Sequence, residues 1–270
     1  ARGRRGKRGS GLHIQNNGGT VVFQGVSTIQ LGDGGNGGTA SAACAKATGG
    51  DGNEAGSLRI TGRQINFDGV VNIEPGQAGH GGDASVTGMD GANGAPGEPG
   101  CDAGPANAGD GADQNKAFRA KGRVNNLGNV TIDILHAGDG GSASAIAGHG
   151  GHGVGATDGG AGGDASANGG DGGDASVSAG GLPIVLRGAV GGAAGDATTE
   201  PGNGGNGGDS IWPDPAGIGG GAGFGAARDG VPGTPGGASG TSDNAPAEEG
   251  LNGWQWFPRM LPVSLYLSVG

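Results

Sequence analysis

GGAGGDASANGGDGGDASVSAGG, residues 159–181, contains five pairs of glycine separated by one to six residues, nearly all of them small or polar. Glycine loses more backbone entropy on ordering than any other residue, so an ordered chain of this texture needs a systematic compensation. The sequence of 270 residues contains 73 Gly and 3% aromatic residues, too few large apolar side chains for one ordinary core. Hydrogen bonding between backbones is therefore the expected source of order.

The same texture recurs along the chain as a repeat. The pattern GxGG followed by Asp, Thr or Ser and then Ala-Ser occupies residues 35–41, 79–85, 138–144, 160–166 and 170–176. Segments rich in β-branched residues precede several copies, and Phe23 aligns with Phe67 at the same offset of 44 residues that relates Gly32 to Gly76. Alternating apolar residues in these segments predict β-strands, one group in each repeat unit.

A three-residue period governs the glycine-rich segments. After Gly76, the residues Gln77, His80 and Asp83 stand at every third position with small residues between them. The left-handed extended helix has three residues per turn and no internal hydrogen bonds, so its backbone groups must pair with neighbouring helices. Two glycine faces allow that approach, and the third position, here called X, faces solvent.

The segments GGNGGTASA, AGHGGDASV, GGDGGDASV and GGNGGDS resemble the repeats of proteins that form polyglycine II bundles. Springtail antifreeze proteins, the tips of certain phage tail-fibre adhesins and the PGRS-type regions of mycobacteria are examples. The resemblance is one of texture and implies an architecture rather than a function. The Gly-X-Y tracts at 88–100 and 230–236 are interpreted as further helices of the same bundle, with a collagen helix as the alternative.

The predicted fold class is mainly β and irregular, with strand repeat units, sandwich or solenoid-like, that carry a bundle of polyglycine II-type helices and essentially no α-helix. The expected organisation is a basic arm at 1–11, a repetitive body at 12–240, a linker at 241–250 and an apolar C-terminal strand segment at 251–270. The units of the body are expected near 12–56, 57–119, 120–181 and 182–240.

Charge is distributed unevenly. The net charge is −10, yet five of the fifteen basic residues lie in residues 1–11. The arm, with Arg4, Arg5, Lys7 and Arg8, is predicted to contact the acidic body of an adjacent copy. A nucleic-acid-binding tail is the alternative, but no aromatic residues are interleaved with the basic ones and the acidic body would repel phosphate, so no nucleic-acid partner is expected.

Chemistry-bearing motifs are sparse. Cys44 and Cys101 are predicted either to form a disulfide, within or between chains, or to stay as thiols. Residues 204–212 match once the nonapeptide that binds calcium in β-rolls, which makes Asp209 a calcium candidate beside the alternative of a solvated carboxylate. His149 and His152 form a weak metal pair. No catalytic motif occurs, so we expect no enzyme activity and no cofactor.

The C-terminal segment differs from the body. It is rich in aromatic residues and then alternates apolar and other side chains, the pattern of a strand with one buried face. This strand either closes its own sheet or completes a neighbour's. The residues predicted to make the assembly contact there are Trp254, Trp256, Phe257, Leu261, Val263, Leu265, Leu267 and Val269.

These features predict a structural subunit of an extracellular or cell-surface filament that assembles from copies of itself. The alternative is an adhesin or receptor-binding tip that recognises a cell-surface or matrix ligand. Ice binding is disfavoured because the X positions are mixed and often charged. No apolar run is long enough to predict a membrane span, and no signal peptide is recognisable.

Overall fold

The computed structural model describes residues 1–126, 129–177, 184–211, 214–237, 239–253 and 255–256. Within these residues the regular structure is parallel β-sheet, and α-helix is absent. No described helix could cross a membrane. The strands, in chain order, are β1 (Leu12–Phe23), β2 (Val26–Gln30), β3 (Ala40–Ala43), β4 (Ala47–Thr48), β5 (Leu58–Phe67), β6 (Val70–Glu74), β7 (Ala84–Thr87), β8 (Ala103–Asn107), β9 (Phe118–Asn125), β10 (Val130–Ile132), β11 (Leu135–His136), β12 (Ala143–Ile146), β13 (Ala165–Asn168), β14 (Val185–Leu186), β15 (Ala189–Val190), β16 (Ala197–Glu200), β17 (Ser210–Ile211), β18 (Gly225–Arg228), β19 (Ser242–Asn244) and β20 (Gln255–Trp256).

The chain coils as a two-layer solenoid. It ascends in one layer, turns at a tip, descends in the other layer and turns again at a base. Every rod of the ascending layer runs in one direction and every rod of the descending layer runs in the opposite direction, so all strand pairs within a layer are parallel. The chain therefore builds each layer by adding one rod per coil.

The base of the molecule holds its large apolar side chains. The descending sheet β1-β5-β9 faces the ascending sheet β14-β10-β6-β2, and the core between them includes Leu58, Ile65, Phe67, Ile73 and Ile132, each fully buried or nearly so. Alternating β-branched and aromatic residues suit such pleated, half-buried surfaces. This core accounts for the β-branched segments of the sequence.

A second pair of sheets lies higher, at the middle of the rods. Here β19-β16-β12-β7-β3 faces β18-β13-β8-β4, and the core between them is built almost entirely of alanine with Val86. The Ala-Ser pairs of the repeat supply these strands, with alanine inward and serine outward. Small side chains allow the two layers to approach each other closely here.

Glycine rods fill the space between the base sheets and the middle sheets, the lower bundle, and between the middle sheets and the tips, the upper bundle. Each three-residue turn sends its three N–H groups in three directions. In the rod at 169–175, the N–H of Gly169 donates to the next rod of its own layer, that of Gly170 to the opposite layer, and that of Asp171 to a side chain of the preceding rod. The acceptors are Arg228 O at 2.8 Å, Gly141 O at 2.9 Å and Asp110 Oδ1 at 3.0 Å.

Close approach between rods explains the glycine content. A Cβ built on Gly170 would lie within 3.0 Å of the Gly109 carbonyl, which no real Cβ tolerates. The regular hydrogen bonds between rods offset the entropy cost of ordering so much glycine.

The expected fold class is confirmed, and the repeat offset appears directly in the register. Phe23 pairs with Phe67 and Ile29 with Ile73. The Gly-X-Y tract at 88–100 forms one ascending and one descending rod, and both bond to rods of the same chain. A collagen helix is therefore not what this tract forms.

Two segments expected to lie outside the body are placed within it. Residues 1–11 form the first descending rod of the lower bundle, and part of the expected linker at 241–250 forms β19, which pairs with β16. Both segments follow the same hydrogen-bonding rules as the inner rods.

Candidate assembly surfaces

The solenoid has two unlike faces along its stacking direction. We define the first face by the rods at 1–23 and 26–43, and the last face by the rods at 217–237 and 239–253. Because each layer is parallel, the two faces expose opposite sides of a rod and present different hydrogen-bonding groups. Any contact between these two faces of different copies is heterologous.

Basic residues cover the first rod. Gly3, Gly6 and Gly9 donate their N–H groups to the rod at 48–54 at 2.7–2.9 Å. The remaining positions carry Arg4, Arg5, Lys7 and Arg8, whose side chains are exposed. Elsewhere the positions of Arg4 and Lys7 face the opposite layer, as Gly50 and Asn53 show by donating to Gly38 and Gly35. The opposite-layer rod at 31–39 donates to the carbonyls of Arg4 and Lys7 at 2.6 Å, but no described rod precedes the first one, so the bulky side chains of these two residues stay exposed.

Part of this positive charge is neutralised within the chain. Glu54, on the second descending rod, forms ion pairs with Arg8 and Lys116. Burial would raise the pKa of the Glu54 carboxyl, but the hydrogen bonds and charges of Lys116 and Arg8 outweigh it, and the pKa is lowered overall. Arg4, Arg5 and Lys7 lie outside this network.

The apolar core is open where it meets the first face. Leu12 is 43% exposed, whereas its register partner Leu58 is completely buried. Phe23 is only partly buried although it stacks on the buried Phe67 with ring centroids 5.0 Å apart. The inward side of the first coil therefore lacks a covering layer within the described residues.

The last face is different in two respects. Pro232 and Pro235 occupy the positions that Gly172 and Ala175 hold in the preceding rod. In that preceding rod, the N–H groups of Gly172 and Ala175 donate to the rod that follows it. Proline has no N–H, so these two positions cannot bond to a further rod. Prolines of this kind blunt exposed edges against uncontrolled pairing.

Apolar residues also replace aspartate at the X positions of the last descending rod. Three such side chains, each more than half exposed, are Ile218, Phe224 and Val231. Their N–H groups still donate to the preceding rod at 2.8 Å, to Asp158, Asp164 and Asp171. Since no described rod follows, their side chains need not accept a hydrogen bond.

Side-chain ladders run across the outer faces of both layers. In the upper ascending rods, His149 N–H donates to Asp90 Oδ1 at 2.8 Å, Asn203 N–H to His149 Nδ1 at 2.9 Å, and Glu248 N–H to Asn203 Oδ1 at 2.8 Å. Asp, Asn and neutral His are short side chains that can accept, whereas Lys and Arg have no acceptor. The X residues, predicted to be merely solvated, therefore also pair the N–H groups that no rod can reach.

One ladder brings carboxylates together. Asp110 N–H faces Asp51 Oδ1 at 3.4 Å, and Asp171 N–H donates to Asp110 Oδ1 at 3.0 Å. Burial, together with the nearby charges of Asp171 and Asp51, raises the pKa of Asp110, although the hydrogen bond from Asp171 works in the opposite direction. Aspartates at the end of a ladder behave differently: hydrogen bonds from Thr234 lower the pKa of Asp174, and hydrogen bonds from Thr241 lower that of Asp196.

The two cysteines form a disulfide within the chain. Cys44 ends the first ascending rod and Cys101 lies in the upper bundle, with a Cα–Cα distance of 5.8 Å. Of the alternatives that the sequence left open, the structure has the intramolecular pair. The bond ties the first coil to the upper bundle.

The other candidate residues are placed as follows. Asp209 directly precedes β17, and among the described residues no three His, Cys, Asp or Glu side chains cluster as metal ligands would. His149 and His152 lie on one outer face and accept N–H bonds through Nδ1. They line a polar groove of about 650 Å³ over the upper ascending rods.

The C-terminal candidates fall largely outside the described residues. Gln255 and Trp256 form β20, which pairs with β17 at the tip of the ascending layer. Outside the described residues lie Trp254, Phe257, Leu261, Val263, Leu265, Leu267 and Val269.

Comparison with known proteins gives little further guidance. No known family and no curated protein matches the chain. Among solved structures, the chain is similar to a springtail antifreeze protein from Granisotoma rainieri, a bundle of nine polyproline type II helices. The identity is 17%, the match covers 82% of this chain and 94% of that one, and the TM-score is 0.16.

Proposed function

We propose that this protein is a structural subunit of an extracellular filament or fibre and polymerises through contacts between unlike parts of successive copies. The observation that carries the proposal is the polarity of the solenoid. The base has an open apolar core beside a basic rod, whereas the ascending layer leads at its tip into the apolar segment 257–270. Unlike ends that meet head to tail, without closing a ring, generate open filaments.

Charge supports the same polarity. Arg4, Arg5 and Lys7 are exposed on the first rod, and Glu248 and Glu249 are exposed on the last ascending rod near the tip. A tip that approaches the base of another copy brings these opposite charges together. Rim charges of this kind affect the association rate and its salt dependence more than they affect the final affinity.

The construction of the rods suits a mechanical role. The rods are held by regular backbone hydrogen bonds in three directions, the alanine and apolar cores are thin, and the outer faces are acidic and solvated. Nothing in this arrangement requires a ligand or a catalytic group. The prolines of the last face also restrict uncontrolled lateral growth.

The test is electron microscopy and sedimentation of the purified chain at low and high salt. We expect long polymers that assemble more slowly as salt rises. The double variant Arg4→Glu with Lys7→Glu should slow assembly, while the control Arg119→Glu with Arg123→Glu, which changes the same charge on exposed residues of β9, should not. Discrete particles at every salt concentration would contradict the proposal.

The polar groove supports a second candidate, a receptor-binding tip. Its free polar groups include His149 Nε2 and the carboxylate of Glu248, on the outer face of the upper bundle. We expect this candidate to gain support if the unpolymerised protein binds a cell-surface polysaccharide and Glu248→Ala weakens that binding. Absence of binding to any tested cell-surface polysaccharide would count against it.

A further inference from the structure

Among the described residues, no strand pairs with the outer edge of β1 at the base of the molecule. Residues Leu12, Ile14, Val21 and Phe23 of β1 point into the core between the base sheets. Their register partners on β5 are completely buried, but Ile14, Val21 and Phe23 are only partly buried and Leu12 is more exposed still. The difference in burial arises because β5 is paired with a strand on each side, whereas β1 is paired on one side only. A strand with one apolar face, added beside β1, would cover this end of the core.

The edge of β1 is able to accept such a strand. Leu12 N–H donates to Ser57 O at 2.9 Å and Phe23 O accepts from Gly69 N–H at 2.9 Å, so these residues bond toward β5. The groups of alternate residues, such as Val22, point the other way. No proline occurs before Pro75, in contrast to the proline-blunted last face. β1 spans twelve residues with a register shift between Asn16 and Thr20, and the regular parts on either side of that shift, which contain no proline, form a template for strand addition.

The chain contains one segment outside the described residues whose pattern fits this position. Residues 261–269 alternate five large apolar residues with Pro, Ser, Tyr and Ser. Nine residues of strand extend about 30 Å, which is shorter than β1. The segment has no glycine until Gly270, so it cannot replace a glycine rod, whose inner faces exclude a Cβ.

The length of residues 257–270 decides which molecule can supply this strand. The rod from Leu186 in the base to Ser210 at the tip spans roughly 75 Å at about 3.1 Å per residue. Residues 257–270 begin beyond β20, which pairs with β17 at the tip. Even when fully extended they cover at most about 50 Å. The β1 edge of the same chain is therefore out of reach, and the β1 edge of another copy is not.

We infer that residues 257–270 of one copy add as a strand to the β1 edge of the next copy and close its open apolar core. This inference rests on the proposed filament function and names its joint. Each copy is then both donor, at its tip, and acceptor, at its base. The joint buries Leu12, Val21 and Phe23 and places the tip near the basic first rod.

The experiment compares the full chain with a chain that ends at Trp256, which keeps every described residue. The shortened chain should be folded, with an unchanged melting temperature, and should not polymerise. A synthetic peptide of residues 257–270 should bind it with one-to-one stoichiometry and slow hydrogen exchange in β1. Polymers from the shortened chain would overturn the inference and leave the filament proposal standing, whereas a full chain that never polymerises would end both.

Two proline variants locate the acceptor edge. Val22→Pro removes an N–H that points away from β5, so it should weaken peptide binding to the shortened chain by at least tenfold and abolish polymers of the full chain. Ser242→Pro makes the matched change on β19, the edge strand of the last face, and should leave both intact. If Ser242→Pro alone blocks polymers, copies stack face to face and the inference is wrong. Should Val22→Pro fail to fold, Gln15→Pro, also directed away from β5, replaces it.

Discussion

Two adjacent glycines in the last descending rod offer a sharp test of how the rods pack. A Cβ on Gly220 would lie within 3.0 Å of the Gly160 carbonyl, whereas a Cβ on Gly221 would meet nothing within 4 Å. Gly221 is also free of positive φ. The same substitution, Gly to Ala, can therefore be made at two neighbouring positions, one on a face that contacts another rod and one on an open face.

The magnitude follows from the contacts that the new methyl group disturbs. Gly220 N–H donates to Gly205 O at 2.7 Å and Gly220 O accepts from Gly250 N–H at 2.8 Å. Two backbone bonds contribute about 1 kcal/mol each, and overpacking costs about 1–3 kcal/mol. Gly220→Ala should therefore destabilise the fold by about 3–5 kcal/mol. Gly221→Ala should stabilise it by about 0.4–1 kcal/mol, because alanine has less freedom in the unfolded chain.

The assay is thermal unfolding by calorimetry, supported by guanidinium denaturation, on the chain that ends at Trp256 so that assembly does not contribute. For a chain of this size about 1 kcal/mol corresponds to roughly 2–4 °C, so the two variants should differ in melting temperature by about 7–24 °C. Equal stabilities for the two variants would refute the three-direction packing of the rods.

Three further predictions concern the cross-link and the side-chain ladders. Replacing Cys44 and Cys101 by serine should lower the free energy of unfolding by about 4 kcal/mol, the loop-closure value for their separation, as measured by denaturation with and without reductant; an unchanged stability would mean that the bond does not constrain the unfolded chain. His149→Asn should keep the acceptor for the next rod and cost little, whereas His149→Leu should cost about 1–3 kcal/mol by thermal denaturation; equal effects would exclude a role for Nδ1 as acceptor. Because hydrogen bonds from Thr234 lower the pKa of Asp174 from its usual 3.8, its stabilisation is present above pH 3.8 and is lost as pH falls from there through the lowered value. Asp174→Asn keeps the acceptor and should flatten this part of the acid-unfolding profile, and an unchanged profile would contradict the assignment.

Much of the architecture could be read from local pattern. The offset that aligns Phe23 with Phe67 became a register pair, and the three-residue spacing of His80 and Asp83 became the period of the rods. These predictions succeeded because each repeat bonds only to its neighbours, so every coil needs the same sequence pattern. The role of the X residues was missed, although the preference for Asp, Asn and His over Lys and Arg on inner rods was a signal.

Other features depend on the tertiary structure. Residues 1–11 read as an arm because their basic side chains break the glycine pattern, yet Gly3, Gly6 and Gly9 keep the spacing that docks them as a rod. Pro232 and Pro235 looked like part of a Gly-X-Y tract. Their meaning as the end of a hydrogen-bonded stack depends on which rod lies beside them, and composition cannot show that.

The sequence by itself determined the kind of structure: strands where β-branched residues alternate, and rods where glycine recurs in triplets. Those outcomes depend on local sterics and on the need of every backbone N–H for an acceptor. The tertiary structure alone decided the parallel order of the rods, the pairing of Cys44 with Cys101, and which end of the core stays open at Leu12. These depend on how coils distant in sequence stack, because a rod without internal hydrogen bonds acquires its place only from its neighbours.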